Sequence, residues 1–163
     1  MKKYNKHDHK LLVTWAADCA ERVLPLFESV YPKDERPSRA IQVCRIWVCT
    51  GEFKMTSTRG SSLGAHAAAR EAKDNPAACF AARAAGQAAA VAHVPQHALG
   101  AAYYALKAVG AADPAHAEAN VLKELEWQRR HGALGLREEV LKRIILQKNR
   151  SYVRVKIQKD PTF

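Results

Sequence analysis

Apolar residues recur at helical spacing almost from the start of the chain. Leu12, Ala16, Cys19, Ala20, Val23 and Phe27 mark one face of a first helix. Asp8 is its expected cap, an Asp18–Arg22 pair is expected on its outer side, and Pro25 should kink or end it. After a YPKDERP turn, Pro37 opens a second helix that turns Ala40, Ile41, Cys44, Trp47 and Val48 inward and stops at Gly51. A third runs from a cap at Thr56 or Ser57 to Asp74. Asn75-Pro76 begins the fourth and Pro95 the fifth, which Gly110 ends. Asp113-Pro114 starts a sixth that reaches His131 before Gly132, and a seventh carries Leu136, Val140, Leu141, Ile144 and Ile145 inward. The pattern predicts an all-α fold, a single-domain bundle or right-angled array of about seven helices.

The end of the chain changes period. Val153, Val155 and Ile157 alternate with Arg154, Lys156 and Gln158, which is strand spacing. A lone strand finds no ladder partner in an all-helical domain. Residues 1–147 therefore read as the helical domain and 148–163 as a basic tail, extended or disordered, that could pair with another chain's edge.

Between His66 and Ala112 the sequence is dominated by alanine. Alanine is the best helix former and leaves a helix nearly bare, so neighbouring backbones can approach closely. Three stretches, AHAAAREA, AARAAGQAAA and HALGAAYYA, each set a polar residue in an Ala/Gly field. They read as three similar helices, with Gly60, Gly64, Gly86 and Gly100 at the points of contact.

A large polar side chain on such a surface has few neighbours to lie against. Arg59, His66 and Arg70 share one helix face, and Arg83 and Gln87 share another. If the faces meet, these groups form a patch that accepts a carboxylate or phosphate. The competing expectation is a solvated face whose arginines pair internally with Glu71, Asp74 or Glu118. His93 and His97 have the i,i+4 spacing of metal ligands, but Pro95 between them suggests that they straddle a corner, with His66 a possible third member. No Asp, Glu or Cys completes a ligand set. The candidate partner-binding residues are thus Arg59, His66, Arg70, Arg83, Gln87, His93 and His97; no metal, cofactor or catalytic residue is expected.

Charge narrows the partners. With a net charge of +10, the chain suits nucleic acid, an anionic membrane or an acidic protein face. Lys and Arg are spread along the chain rather than on one recognition helix, although KRIILQKNRSYVRVK could contact phosphates. The uncharged stretch from Ala84 to Leu106 contains Gln87, His93, Pro95, Gln96 and His97, which argues against a membrane span. No apolar leader follows MKKYNKHDHK, so a cytoplasmic location is expected. Cys19, Cys44, Cys49 and Cys79 have no CxxC spacing and read as free thiols. Gly60-Ser61-Ser62-Leu63-Gly64 fits G-x-S-x-G by its letters, without the preceding strand that a nucleophile elbow requires.

HKLLVTWAADCAERVLPLFE, RPSRAIQVCRIWV, AHAAAREA, AARAAGQAAAVAHV, HALGAAYYALKA and EWQRRH together give a specific combination across residues 7–147. The chain resembles the immunity proteins of bacterial polymorphic toxin systems, a helical family. Gln87 stands where that family's motif often reads His, and the tail from Lys148 is additional. The resemblance implies a non-catalytic cytoplasmic antidote whose partner is a cognate toxin protein; for a chain of this charge an acidic toxin face fits best. It transfers no catalytic residue. The alternatives are a basic helical nucleic-acid-associated protein and a histidine-based metal-dependent enzyme.

Overall fold

In the computed structural model, which describes residues 4–52, 54–132, 134–148 and 153–158, the chain is predominantly helical. Helix α1 (Lys6–Val23) starts earlier than the Asp8 cap requires. Asn5 is the cap: its Oδ1 accepts the Asp8 N–H at 2.8 Å, and its Nδ2 donates to the Asp8 carboxylate at 2.9 Å. Pro25 does end α1 and takes the first position of the one-turn α2 (Pro25–Glu28). Helix α3 (Arg36–Thr50) begins at the expected proline and stops at Gly51, whose φ of +72° is accessible to glycine at little cost.

The alanine-rich helices are α4 (Met55–Glu71), α5 (Pro76–Val91) and α6 (His97–Ala112). Asn75 caps α5 by accepting the Ala78 N–H at 3.0 Å. The other boundaries depart from expectation. Neither Thr56 nor Ser57 caps α4, which begins at Met55 after an extended Lys54 and ends at Glu71, short of Asp74. Helix α6 opens at His97, with Pro95 in the preceding turn, and passes through Gly110 to Ala112. Gly110 is a packing residue rather than a stop: a Cβ there would lie 3.0 Å from Val121 Cγ2.

A 3-10 turn (Pro114–His116) leads into α7 (Ala117–Arg130), which ends near Gly132 at φ +87°. Helix α8 (Leu134–Leu141) stops three residues before Ile144. Ile144 and Ile145 are therefore not its inward residues. They begin β1 (Ile144–Lys148), which pairs antiparallel with β2 (Val153–Ile157), Ile144 opposite Ile157 and Lys148 opposite Val153. The β-branched Ile-Ile run supplies the ladder partner that the alternating tail appeared to lack.

Helix α5 lies at the centre, touching α1, α2, α3, α4 and α6. A helix with neighbours on most sides must be apolar and narrow where they touch it, and α5 buries Ala78, Ala81, Ala82, Ala84, Ala85, Ala88, Ala89 and Ala90. Bulk comes from the surrounding helices. Trp15, Leu12 and Val13 of α1, Phe27 of α2 and Leu106 of α6 are nearly inaccessible to solvent, each worth roughly 1.5–3 kcal/mol by burial.

Asp18 and Arg22 do not pair with each other. Asp18 joins Arg45 at 2.6 Å, while Arg22 reaches Glu124 of α7 at 2.9 Å and lies 4.0 Å over the Trp127 ring. A buried carboxylate and an aromatic face offer the guanidinium more than an exposed neighbour one turn away.

Candidate functional site

The first two alanine-rich helices, α4 and α5, each lay a polar side chain onto a glycine of the next. A Cβ on Gly86 of α5 would meet the His66 ring at 2.8 Å, and one on Gly100 of α6 would meet Gln87 Oε1 at 2.5 Å. The glycines leave room for these side chains at the helix contacts. Ser62 reinforces the first contact by donating through Oγ to Gly86 O at 2.9 Å. Gly60 and Gly64 are not such points: nothing lies within 4 Å of a Cβ on Gly60, and only the Arg36 stem lies 4.0 Å from one on Gly64.

Gln87 continues the network. His97 Nδ1 lies 2.7 Å from Gln87 Oε1. An amide oxygen only accepts, so the imidazole carries its proton on Nδ1 and leaves Nε2 as an acceptor. His93 sits beyond the end of α5, its ring 5.6 Å from that of His97 across the α5–α6 corner. On the adjoining face His9 Nε2 lies 2.6 Å from Val91 O and its ring 4.9 Å from Trp47.

The electrostatics are uniformly positive. Burial lowers the pKa of His66, and Arg83, Arg70 and His97 lower it further. Burial also lowers His93, aided by Arg59 and His9, and lowers His97, aided by His93. His66 Nδ1 is buried with no hydrogen-bond partner. The proposed residues thus fall into linked groups: His66 with Arg70, Arg83 and His97; His97 with Gln87 and His93; and His93 with Arg59.

The arginines separate into two classes. On α1 and α3, Arg22, Arg36, Arg39 and Arg45 each hold a carboxylate. On α4 and α5, Arg59, Arg70 and Arg83 form no ion pair or side-chain hydrogen bond among the described residues. Of the acids that could have taken them, Glu71 pairs with Arg36 and Glu118 with Lys148 at 2.7 Å, while Asp74 is exposed and forms no ion pair among the described residues. Arg59 and Arg70 are exposed and Arg83 is half-buried. The surface can accept carboxylate or phosphate oxygens from several directions.

Other chemistry finds less support in the geometry. Among the described residues no group of three or more His, Cys, Asp or Glu is placed to hold a metal ion. The G-x-S-x-G letters lie within α4, where Ser62 is buried and bound to Gly86 O. Cys19 and Cys44 are buried free thiols, and desolvation raises the pKa of both, Cys44 to about 12. No helix among the described residues is long and apolar enough to cross a membrane.

Two polar clusters lie outside the sequence-based expectations. Glu124 and Gln128 of α7 are buried together, with Gln128 Nε2 donating to Ala102 O at 3.2 Å. Lys107 of α6 places Nζ 4.1 Å from the Phe80 ring centre on α5. Glu124 and Gln128 share a face of α7 by their i,i+4 spacing, but their burial against Arg22 and Ala102, like the meeting of Lys107 with Phe80, depends on helix packing.

The family model for Imm-5 like putative immunity proteins matches residues 2–133, which includes every one of these candidate residues and ends before α8 and the hairpin. Neither curated proteins nor solved structures give a match. With the family model covering most of the chain, the protein belongs to the Imm-5 like family of immunity proteins.

Proposed function

We propose that the protein is a non-catalytic, cytoplasmic antidote that neutralises a cognate toxin by binding it. We place the contact on the basic face formed by Arg59, His66, Arg70, Arg83, Gln87, His93 and His97. The observation that carries this reading is the set of guanidiniums, Arg59, Arg70 and Arg83, that form no ion pair among the described residues, beside a half-buried histidine. On α1 and α3 every arginine holds a carboxylate; among the described residues these three hold none, and an outside acid can take that place. A net charge of +10 favours an acidic face on the toxin, engaged by bidentate Arg–carboxylate contacts.

Co-expression with the toxin encoded beside this chain tests the reading. The wild-type protein should restore growth and co-purify with the toxin. The Arg70→Glu, Arg83→Glu double variant should stay folded, lose co-purification and fail to restore growth. Unchanged rescue by that variant would remove the basic face from the interface. Rescue without any complex would remove binding as the mechanism. Tight nucleic-acid binding at physiological salt, with no toxin complex, would favour a phosphate-binding role instead.

A further inference from the structure

Lys107 and the open edge of β2 line a groove of about 680 Å³, within the usual range for a ligand site. Helix α6 contributes Tyr103, Leu106 and Lys107, and α5 contributes Phe80. The strand contributes Val153, Arg154, Val155 and Lys156. Successive side chains on a strand point to opposite faces. Consecutive residues share one groove when the strand presents its edge to it.

The phase of the ladder shows what that edge carries. Gln158 N–H donates to Arg143 O at 2.8 Å, and bonded and non-bonded pairs alternate along an antiparallel ladder. In this register Ile145–Lys156 and Gln147–Arg154 are the bonded pairs. Val153, Val155 and Ile157 therefore turn their N–H and C=O groups away from β1. Among the described residues, no backbone group outside the hairpin takes them up.

The groove is also short of negative charge. No acidic residue lines it among the described residues. The Lys107 ammonium rests over Phe80 and, at 5.4 Å, over Tyr103, with no ion pair among the described residues. Lys156 is exposed beside it.

We propose that this groove binds an extended acidic peptide segment of a protein partner, which adds to β2 as a third strand and sets carboxylates against Lys107 and Lys156. Such a strand satisfies both the donors and the acceptors of the edge, which a nucleic-acid backbone, carrying acceptors alone at its phosphates, does not. A second copy of this chain is disfavoured, because β2–β2 pairing would bring Arg154 and Lys156 against their own counterparts. A two-stranded hairpin is the smallest sheet and gains from a third strand. This site adjoins the arginine–histidine face, where Arg83 acts electrostatically on Lys107, but it is lined by other residues and does not require the acidic partner to be a toxin.

The test uses the full chain and a fluorescently labelled peptide of alternating glutamate and valine. Controls are a lysine–valine peptide and a glutamate–proline peptide that cannot form a ladder. Only the glutamate–valine peptide should bind saturably, and it should slow amide exchange at Val155 by NMR. Val153→Pro removes an outward N–H while sparing the ladder to β1, and should weaken binding about tenfold or more. Lys107→Glu with Lys156→Glu should do the same, and carries the test if the proline variant loses its hairpin. Equal binding of the glutamate–proline peptide, no change at Val155, or no binding at all would overturn the proposal. So would self-association through β2, or occupation of the groove by a single-stranded oligonucleotide in preference to the peptide.

Discussion

The imidazole of His66 lies directly on the α-carbon of Gly86, so close that a Cβ there would sit 2.8 Å from the ring. This contact packs α4 against the central helix and holds the histidine beside Arg70 and Arg83. It also divides the glycines of the fold into those that make room for a neighbour and those that do not.

Gly86→Ala should lower stability by about 1–2 kcal/mol, because overpacking outweighs the gain of roughly 1 kcal/mol in helix propensity. Gly60→Ala has open space around it and should raise stability by about 0.5–1 kcal/mol. Urea denaturation of the two variants measures the contrast. Stabilisation by both would mean that the His66 ring moves aside freely.

The Arg22–Glu124 pair offers a second asymmetric comparison. Glu124 is buried, and burial raises the pKa of its carboxyl despite Arg22. Arg22→Ala strands that carboxylate and removes a group lying on Trp127, so a loss of about 3 kcal/mol is expected. Glu124→Gln keeps the shape and removes the buried charge, and should cost clearly less. Urea midpoints of the two variants check the order.

Acid should weaken the fold through the histidines. His66, His93 and His97 have pKa values lowered in the folded chain, so near and below pH ~6.5 the unfolded state binds more protons. Their contribution is present above that pH and is lost as pH falls through the folded values. Melting temperatures at pH 7.5 and 5.5 should therefore differ more for wild type than for His66→Asn. An anion bound among the arginines should reduce the difference.

Arg70→Ala and Arg83→Ala should change stability by no more than about 0.5 kcal/mol, since neither side chain has an ion pair among the described residues to lose. Their effect should appear in toxin affinity instead, as loss of a charge-assisted contact worth roughly 1.5–3 kcal/mol. Thermal melting beside a pull-down separates the two quantities. Large stability losses with unchanged affinity in the folded fraction would make these residues structural.

Most helices and their buried faces are legible in the sequence, though several of their ends are not. Alanine density, the Asn75-Pro76 start and the Gly51 and Gly132 stops are local signals, and local backbone chemistry obeys them. The sequence also placed Arg59, His66 and Arg70 on one helix face and Arg83 and Gln87 on another, because register is fixed by helical geometry. Tertiary structure decided whatever required two distant segments to meet. Ile144 and Ile145 fit the inward stripe of a helix, and only pairing with the tail makes them a strand. Asp18 and Arg22 stand at ideal i,i+4 spacing, yet Arg45 and Glu124 bind them more strongly from neighbouring helices. Among the described residues Arg70 and Arg83 form no ion pair, while Glu71 joins Arg36 and Glu118 joins Lys148, a choice of partners that no linear spacing records. The spacing of a charge along the chain sets its helix face, but its partner is set by what packing and desolvation bring within reach.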